Sequence, residues 1–399
     1  MHDGSVRFLY LWAPCRMQAG RCNRNETKLM GSIRIRLAEP EDNDQIQALG
    51  RRCYQEGVIH VAVQRSPKFN TMHRLLDPDA WHMVAEDDGV IVGLIGLVHF
   101  QSVLAGENRR LGYMMDLRLD EAYRKGTAAF KLLKTAIDRS LGMGTDLVIG
   151  NFLKSNQNSL IITQGRAGIP KALYLGDNRV YNMIPVRRMR PDAAYEIGTA
   201  TPDDLPEMLD LYRAYADQFR MAPQITEELF QKYLSLEGLE MESFYLARDR
   251  RSDGGKGRLR AVVAAWDEHT YKHYQVLKLS RNIRMVNGAL AVLSPFLKIP
   301  KPIRLQQPLP QLSLVLYAHD QVPGALVSLL RQINNDYRGS KYSLLSLYAQ
   351  EKDPLFEEMN GFAAVSVTSE MYLFAEDPSI YDHIVPDERP AWLDLALTL

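Results

Sequence analysis

The chain has 399 residues, enough for two or three domains, and its 46% hydrophobic content can supply a core to each. Lys plus Arg and Asp plus Glu both number 48, so the formal charge is zero, which argues against a nucleic-acid-binding role. No apolar run reaches the roughly 18 residues of a membrane span, and three cysteines (Cys15, Cys22, Cys53) make no disulfide framework, so the cytoplasm is the expected setting.

Residues 1–32 read as a disordered N-terminal extension. "VRFLYLWAPC" is apolar but short and lacks a helical period, and Met30 stands just ahead of the first strand. A weak targeting sequence is the other reading. A strand is expected at 33–37, then a helix over 40–55. Pro40 suits its first turn, and the acids there meet the positive end of the helix dipole. An ill-defined helical stretch near 69–76 follows. "WHMVAEDDGVIVGLIG" (81–96) predicts a hairpin turning at Asp-Asp-Gly. Strands over 81–86, 90–104 and 110–119, a helix over 126–141, a strand over 146–152, a helix over 157–167 and a strand over 172–184 complete a mixed, mostly antiparallel α/β unit.

The pattern then repeats. "IRLAEPEDNDQIQAL" (35–49) and "IGTATPDDLPEMLDL" (197–211) share an isoleucine strand, Ala-x-Pro-acid-Asp and the same apolar helix face. "FYLARDRRSDGGKGRLRAVVAAW" (244–266) repeats the hairpin with a longer turn. The spacing is too long for a solenoid repeat and predicts a tandem duplication. The expected units are residues 33–190 and 195–376, with a linker around 186–196 and a C-terminal tail over 377–399 whose end docks Trp392 on a partner surface. The second unit carries a basic, apolar insertion over 269–311. A packed cover is its leading reading; a groove lid, an acyl-chain receptor, an interface or a membrane-surface helix are the others.

Chemistry concentrates in "LRLDEAYRKGTAAFKLL" (117–133). The helix beginning near Gly126 leaves first-turn amides unpaired at the positive end of its dipole, which makes an anion site. The small residues Gly126, Thr127, Ala128 and Ala129 let a phosphate approach, and Arg124 and Lys125 can neutralise it. Neither a Walker nor a dinucleotide pattern is present.

This stretch resembles the fourth-strand motif of the GNAT N-acyltransferases, with Leu117, Leu119, Tyr123, Arg124, Ala129, Leu132 and Leu133 in register. Glu121, Lys125 and Thr127 depart from it, replacing a proline and two glycines. The resemblance spans about 33–185 and implies two tandem GNAT-like acyl-CoA N-acyltransferase domains, the second degenerate. It also implies acetyl-CoA or another acyl-CoA as co-substrate, without a metal. Backbone groups along Leu117, Arg118 and Leu119 would pair with the pantetheine arm, amides from Lys125 to Ala129 would hold the diphosphate, and Asn156 or Asn158 would contact the cofactor. Asp116 matches the place of a general base, with Asp120 or Glu121 as weaker choices. The tyrosine expected as general acid is Gln164 here, leaving Tyr181, with Tyr174, as the substitute.

The second unit's corner, "QVPGAL" (321–326), lacks the cations, although "NGF" (360–362) fits the family's last turn. The function implied is acyl transfer to an amine of a small molecule or peptide. No nucleic acid is expected, and a homodimer is one expected state. The alternative is a non-catalytic tandem module that binds a CoA ester or a protein partner. In a third reading the second unit is the active half.

Overall fold

The structure, a computed structural model, describes residues 33–104, 106–124, 127–145, 147–154, 162–166, 168–322, 324–350, 359, 361–385 and 387–392. In the first unit β1 (Arg34–Leu37), α1 (Asn43–Arg52), β2 (Ile59–Arg65) and α2 (Thr71–Leu76) lead into β3 (Trp81–Asp87), β4 (Val90–Leu104) and β5 (Glu107–Leu119). Then come α3 (Ala128–Gly142), β6 (Leu147–Leu153) and β7 (Leu173–Met183). The second unit runs β8 (Tyr195–Thr199), α4 (Leu205–Ala216), α5 (Glu227–Leu234), β9 (Phe244–Asp249) and β10 (Leu259–Trp266). It continues with β11 (Lys272–Leu279), α6 (Arg281–Leu293), β12 (Gln311–His319), α7 (Ala325–Asp336), β13 (Leu344–Gln350) and β14 (Ala364–Ala375).

The duplicated Pro-acid-Asp corner is real in detail. Each unit enters its first long helix through a single 3-10 turn, Pro40–Asp42 and Pro202–Asp204. The Asp42 carboxylate accepts from the Glu39 amide at 2.8 Å and from Arg36 at 2.6 Å. Asp204 accepts from the Thr201 amide at 2.9 Å and from Arg248 at 2.7 Å. The helix expected over 40–55 is therefore shorter, since its first turn is 3-10 and it stops at Arg52. The hairpin turn is as read, with Asp88 and Gly89 at φ 49° and 76°, the left-handed pair that a tight two-residue turn needs.

Twelve strands form one sheet in the order β1-β3-β4-β5-β6-β14-β7-β13-β12-β10-β9-β8. Each unit's last strand is exchanged: β14 pairs with β6, β7 pairs with β13, and β7 and β14 pair with each other at the centre. Two strands absent from the sequence reading, β2 and β11, form a separate antiparallel ribbon with Arg65 opposite Lys272 and Ile59 opposite Leu279. Each unit supplies one of them.

Both units part their sheet at the same place. Parallel pairing of β5 with β6 runs from Leu111↔Leu147 to Met114↔Gly150, and that of β12 with β13 from Gln311↔Leu344 to Leu314↔Leu347. Two residues beyond each last pair the strand bulges at a non-glycine residue with positive φ, Asp116 (55°) and Leu316 (52°). Such residues are uncommon, and matched ones record the duplication. The core follows from the helices: Leu132, Leu133, Ala136 and Ile137 of α3 are buried against the sheet, as are Leu329, Leu330 and Ile333 of α7. Trp392 docks within its own chain rather than on a partner, with its ring 5.4 Å from Phe219 and 5.8 Å from Tyr215. Among the described residues no helix is long and apolar enough to cross a membrane.

Candidate active site

Past Met114 the backbone of β5 has lost β6 as a neighbour, while β6 itself runs on to Leu153. The gap lies beside Met115–Leu119 and leads to the start of α3. Thr127 occupies the N-cap of α3 without a side-chain cap bond, and its carbonyl receives the Lys131 amide at 2.9 Å. The amides of Ala128, Ala129 and Phe130 therefore have no intrahelical acceptor. Thr127 is exposed and Ala128 buried. Arg124, also exposed, donates from Nε to the Leu119 carbonyl at 3.1 Å, so the corner is tied to the strand end. Tyr123 donates to Asp87 at 2.6 Å, and that bond to a carboxylate is the main cause holding its phenol up at about 12. Of the cofactor residues read from sequence, Leu117, Arg118, Leu119, Arg124, Thr127, Ala128 and Ala129 lie along this path. Lys125, Gly126, Asn156 and Asn158 lie outside the described residues.

The same bulge turns Asp116 into a polar chamber roofed by the β2–β11 ribbon. Arg65 Nε reaches Oδ2 of Asp116 at 2.8 Å, and Arg118 Nη2 reaches Oδ1 at 2.7 Å. The Arg65 and Asp116 side chains are only 7% and 8% exposed. Burial alone would raise the Asp116 pKa, but the two guanidiniums outweigh it and hold the carboxyl well below the usual range. Lys272, opposite Arg65 on the ribbon, pairs with Glu268 at 2.9 Å. Burial pulls its pKa down, yet the Glu268 charge leaves it raised.

Two fully buried histidines complete the chamber, with ring centroids 5.3 Å apart. Burial drives His73 well below its ordinary pKa, and Arg65 adds to the effect. His82 falls to about 4 through burial, offset in part by Asp116 and reinforced by Arg65 and Arg118. Among the described residues neither ring has a hydrogen-bonded nitrogen. Glycines make the room: a Cβ on Gly96 would stand 2.7 Å from the His82 ring, and one on Gly50 would stand 2.8 Å from Arg118 Nη1.

His73, His82 and Asp116 bring ligand atoms within 4.8 Å of one another. Their charge environment opposes a cation. Both Asp116 oxygens already accept from guanidiniums, and Arg65, Arg118 and Lys272 outnumber Asp116 and Glu268. The group is better suited to ordering neutral imidazoles around an ion pair.

At the parting itself Asn151 stands one residue beyond the last β5–β6 pair. Its side chain bonds the Tyr113 hydroxyl, donates to Tyr348 Oη at 3.1 Å, and accepts from Asn178 at 3.3 Å. Tyr348 occupies the matching position in the second unit, so the two partings are joined by one polar bridge.

Tyr181 is not beside the first parting. It lies on β7, three strand steps and about 14 Å from β5. It sits opposite Leu347, at the second unit's parting, with Arg179 5.8 Å over its ring. Its counterpart at the first parting is Tyr372, opposite Gly150 on the exchanged strand. Arg65, His73, His82 and Lys272 escaped the sequence reading. Each comes from a different element, so no spacing links them, and the only local signal was a lone histidine inside the apolar strand β3.

Residues 43–160 match the family model described as "Acetyltransferase (GNAT) family". No curated protein matches the chain. Among solved structures, Saccharomyces cerevisiae N-myristoyltransferase with bound myristoyl-CoA is similar with a TM-score of 0.57 at 13% identity, covering 88% of this chain and 81% of that one. A GCN5-related glucosamine N-acetyltransferase region in a fungal multi-domain GH3 β-N-acetylglucosaminidase gives 0.55 at 11% identity, covering 88% and 39%. At such identities the likeness is one of fold.

Proposed function

We propose that this chain, two GNAT-like units joined in tandem, transfers an acyl group, acetyl in the simplest case, from acyl-CoA to an amine of a small molecule or peptide in the cytoplasm. The observation that carries this reading is the parting of β5 from β6 after Met114, ending at the small-residue start of α3. Pantetheine would add along Leu117, Arg118 and Leu119 as a further strand would. The diphosphate would rest on the amides from Lys125 to Ala129, beside Arg124. The thioester would lie in the gap near the Asp116 bulge, with the acceptor amine entering from the ribbon side. The amine nitrogen would bond the acyl carbon as the C–S bond breaks, and the proton that the nitrogen gives up would balance the one that the departing thiolate takes up.

Asp116 suits this site as the fixed counter-charge of Arg65 and Arg118. A carboxyl held that low is a poor proton acceptor for an amine. Proximity and orientation would then carry much of the rate. Tyr181 would serve as acid only for a reaction at the second parting, and Tyr372 takes its place at the first.

The second unit has the same bulge and parting, but Leu326 is buried at the start of α7 and no cation pair precedes it. We therefore place acyl-CoA in the first unit. Calorimetric titration with acetyl-CoA, followed by an amine screen read as free thiol, tests the reading. Binding that Arg124→Ala weakens, together with thiol release, is the expected result. Binding without turnover for any amine would favour the non-catalytic module, and no binding of acetyl-CoA or longer acyl-CoAs would remove the enzymatic reading.

A further inference from the structure

The helix α6 has no buried residue at all. Ser280 caps its N-terminus by accepting from the Ile283 amide at 3.4 Å, and Asn287 clamps the returning chain by bonding both polar groups of the Ile303 backbone. Ile283, Asn287, Leu290 and Ser294 form the half-buried inner face. The opposite face is apolar too. Met285 is 76% exposed, Val292 66% and Phe296 84%, and they recur at the spacing of one helical stripe. Val286, Leu293 and Leu297, all about half exposed, widen it. Large apolar side chains gathered on one exposed face mark an interaction surface.

The charge around this stripe selects what meets it. The 51 residues from His269 to His319 contain seven Lys and Arg and no Asp or Glu, in a chain whose formal charge is zero. Lys278, Arg281, Arg284, Lys298, Lys301 and Arg304 are exposed, and none forms an ion pair among the described residues. A second copy docking symmetrically would set these cations against themselves. An interface with an apolar interior and an anionic surface satisfies both halves of the pattern.

We propose that α6 and the following Pro295–Leu305 turn seat the protein on the surface of an anionic lipid bilayer. Phe296, Met285 and Val292 would enter the acyl boundary, and the six cations would meet the headgroups. The helix lies on the surface and does not span. It continues directly from β11, whose other end roofs the Asp116 chamber, so the seated protein would hold that chamber about seven residues of strand from the lipid. The proposal stands whether or not the chain transfers acyl groups.

The test is co-sedimentation of the full chain with vesicles of phosphatidylcholine alone or mixed with phosphatidylglycerol. Binding is expected to the mixed vesicles only and should weaken as salt is raised. Phe296→Ser and the double change Arg281→Gln, Arg284→Gln should each lower the affinity roughly tenfold or more. All three positions are exposed, so thermal melts should not move. Absence of binding to the mixed vesicles, or binding that Phe296→Ser leaves unchanged, would overturn the proposal. So would sedimentation equilibrium showing a dimer that Phe296→Ser splits, with no vesicle binding, which would make the stripe a self-interface.

Discussion

His82 and His73 are neutral imidazoles sealed among cations, and this makes them contributors to the acid response of the protein. Their folded pKa values lie below the ordinary 6.5, so the unfolded chain takes up protons first as pH falls. Their contribution to stability is therefore unaffected above about pH 6.5 and is lost as pH falls below it, for His82 down to about pH 4. For His82 alone the loss from neutrality to pH 5 is about 2 kcal/mol. Urea unfolding of wild type and His82→Phe should show a shallower pH dependence for the variant. Asp116 acts at still lower pH: its stabilisation is complete above about pH 4 and fades below it. Replacing it with asparagine strands two guanidiniums, one of them deeply buried, and should cost about 3–5 kcal/mol in the same assay. An unchanged midpoint would show that solvent already reaches the pair. Asp116 was singled out in the sequence by the family resemblance, as the place of a general base. Its partners were not, because Arg65 comes from 51 residues away, on a ribbon whose other strand the second unit supplies.

At the scale of the element, the stretch from β5 to α3 combines an unpaired strand edge with an uncapped helix start. Arg124 is tied to the Leu119 carbonyl, so Arg124→Ala should both free the corner and remove a cation. Acetyl-CoA affinity should fall about tenfold, read by calorimetry. The neighbouring strands leave little room: Gly96→Ala would drive a methyl into the His82 ring and should cost about 1–3 kcal/mol of unfolding stability. Strand and helix periodicity located β3, β4, β5, α3, β6 and β7 to within a few residues, because each buries a face with its own repeat. β2 failed that test. Its partner is β11 rather than a strand of the sheet, and a two-stranded ribbon leaves only a weak alternating pattern.

At the scale of the whole molecule, strand exchange welds the two units. Without β14 the edge of β6 is open, and without β7 the edge of β13 is open. Residues 1–191 and 192–399 made separately should therefore be insoluble or aggregate through those edges, whereas co-expressed they should purify as one complex by size exclusion. Independent solubility of either piece would show that a unit can close its own sheet. The sequence by itself determined the repeated pattern, the order of elements in the first unit except β2, and the small-residue corner, because these are local: a capping pattern, a hydrophobic period, a run of small side chains. Only the tertiary structure decided the exchange of β7 and β14, the ribbon, and the buried charges around Asp116. Each of these depends on which distant segments meet, and a residue's own neighbours in the chain carry no record of that.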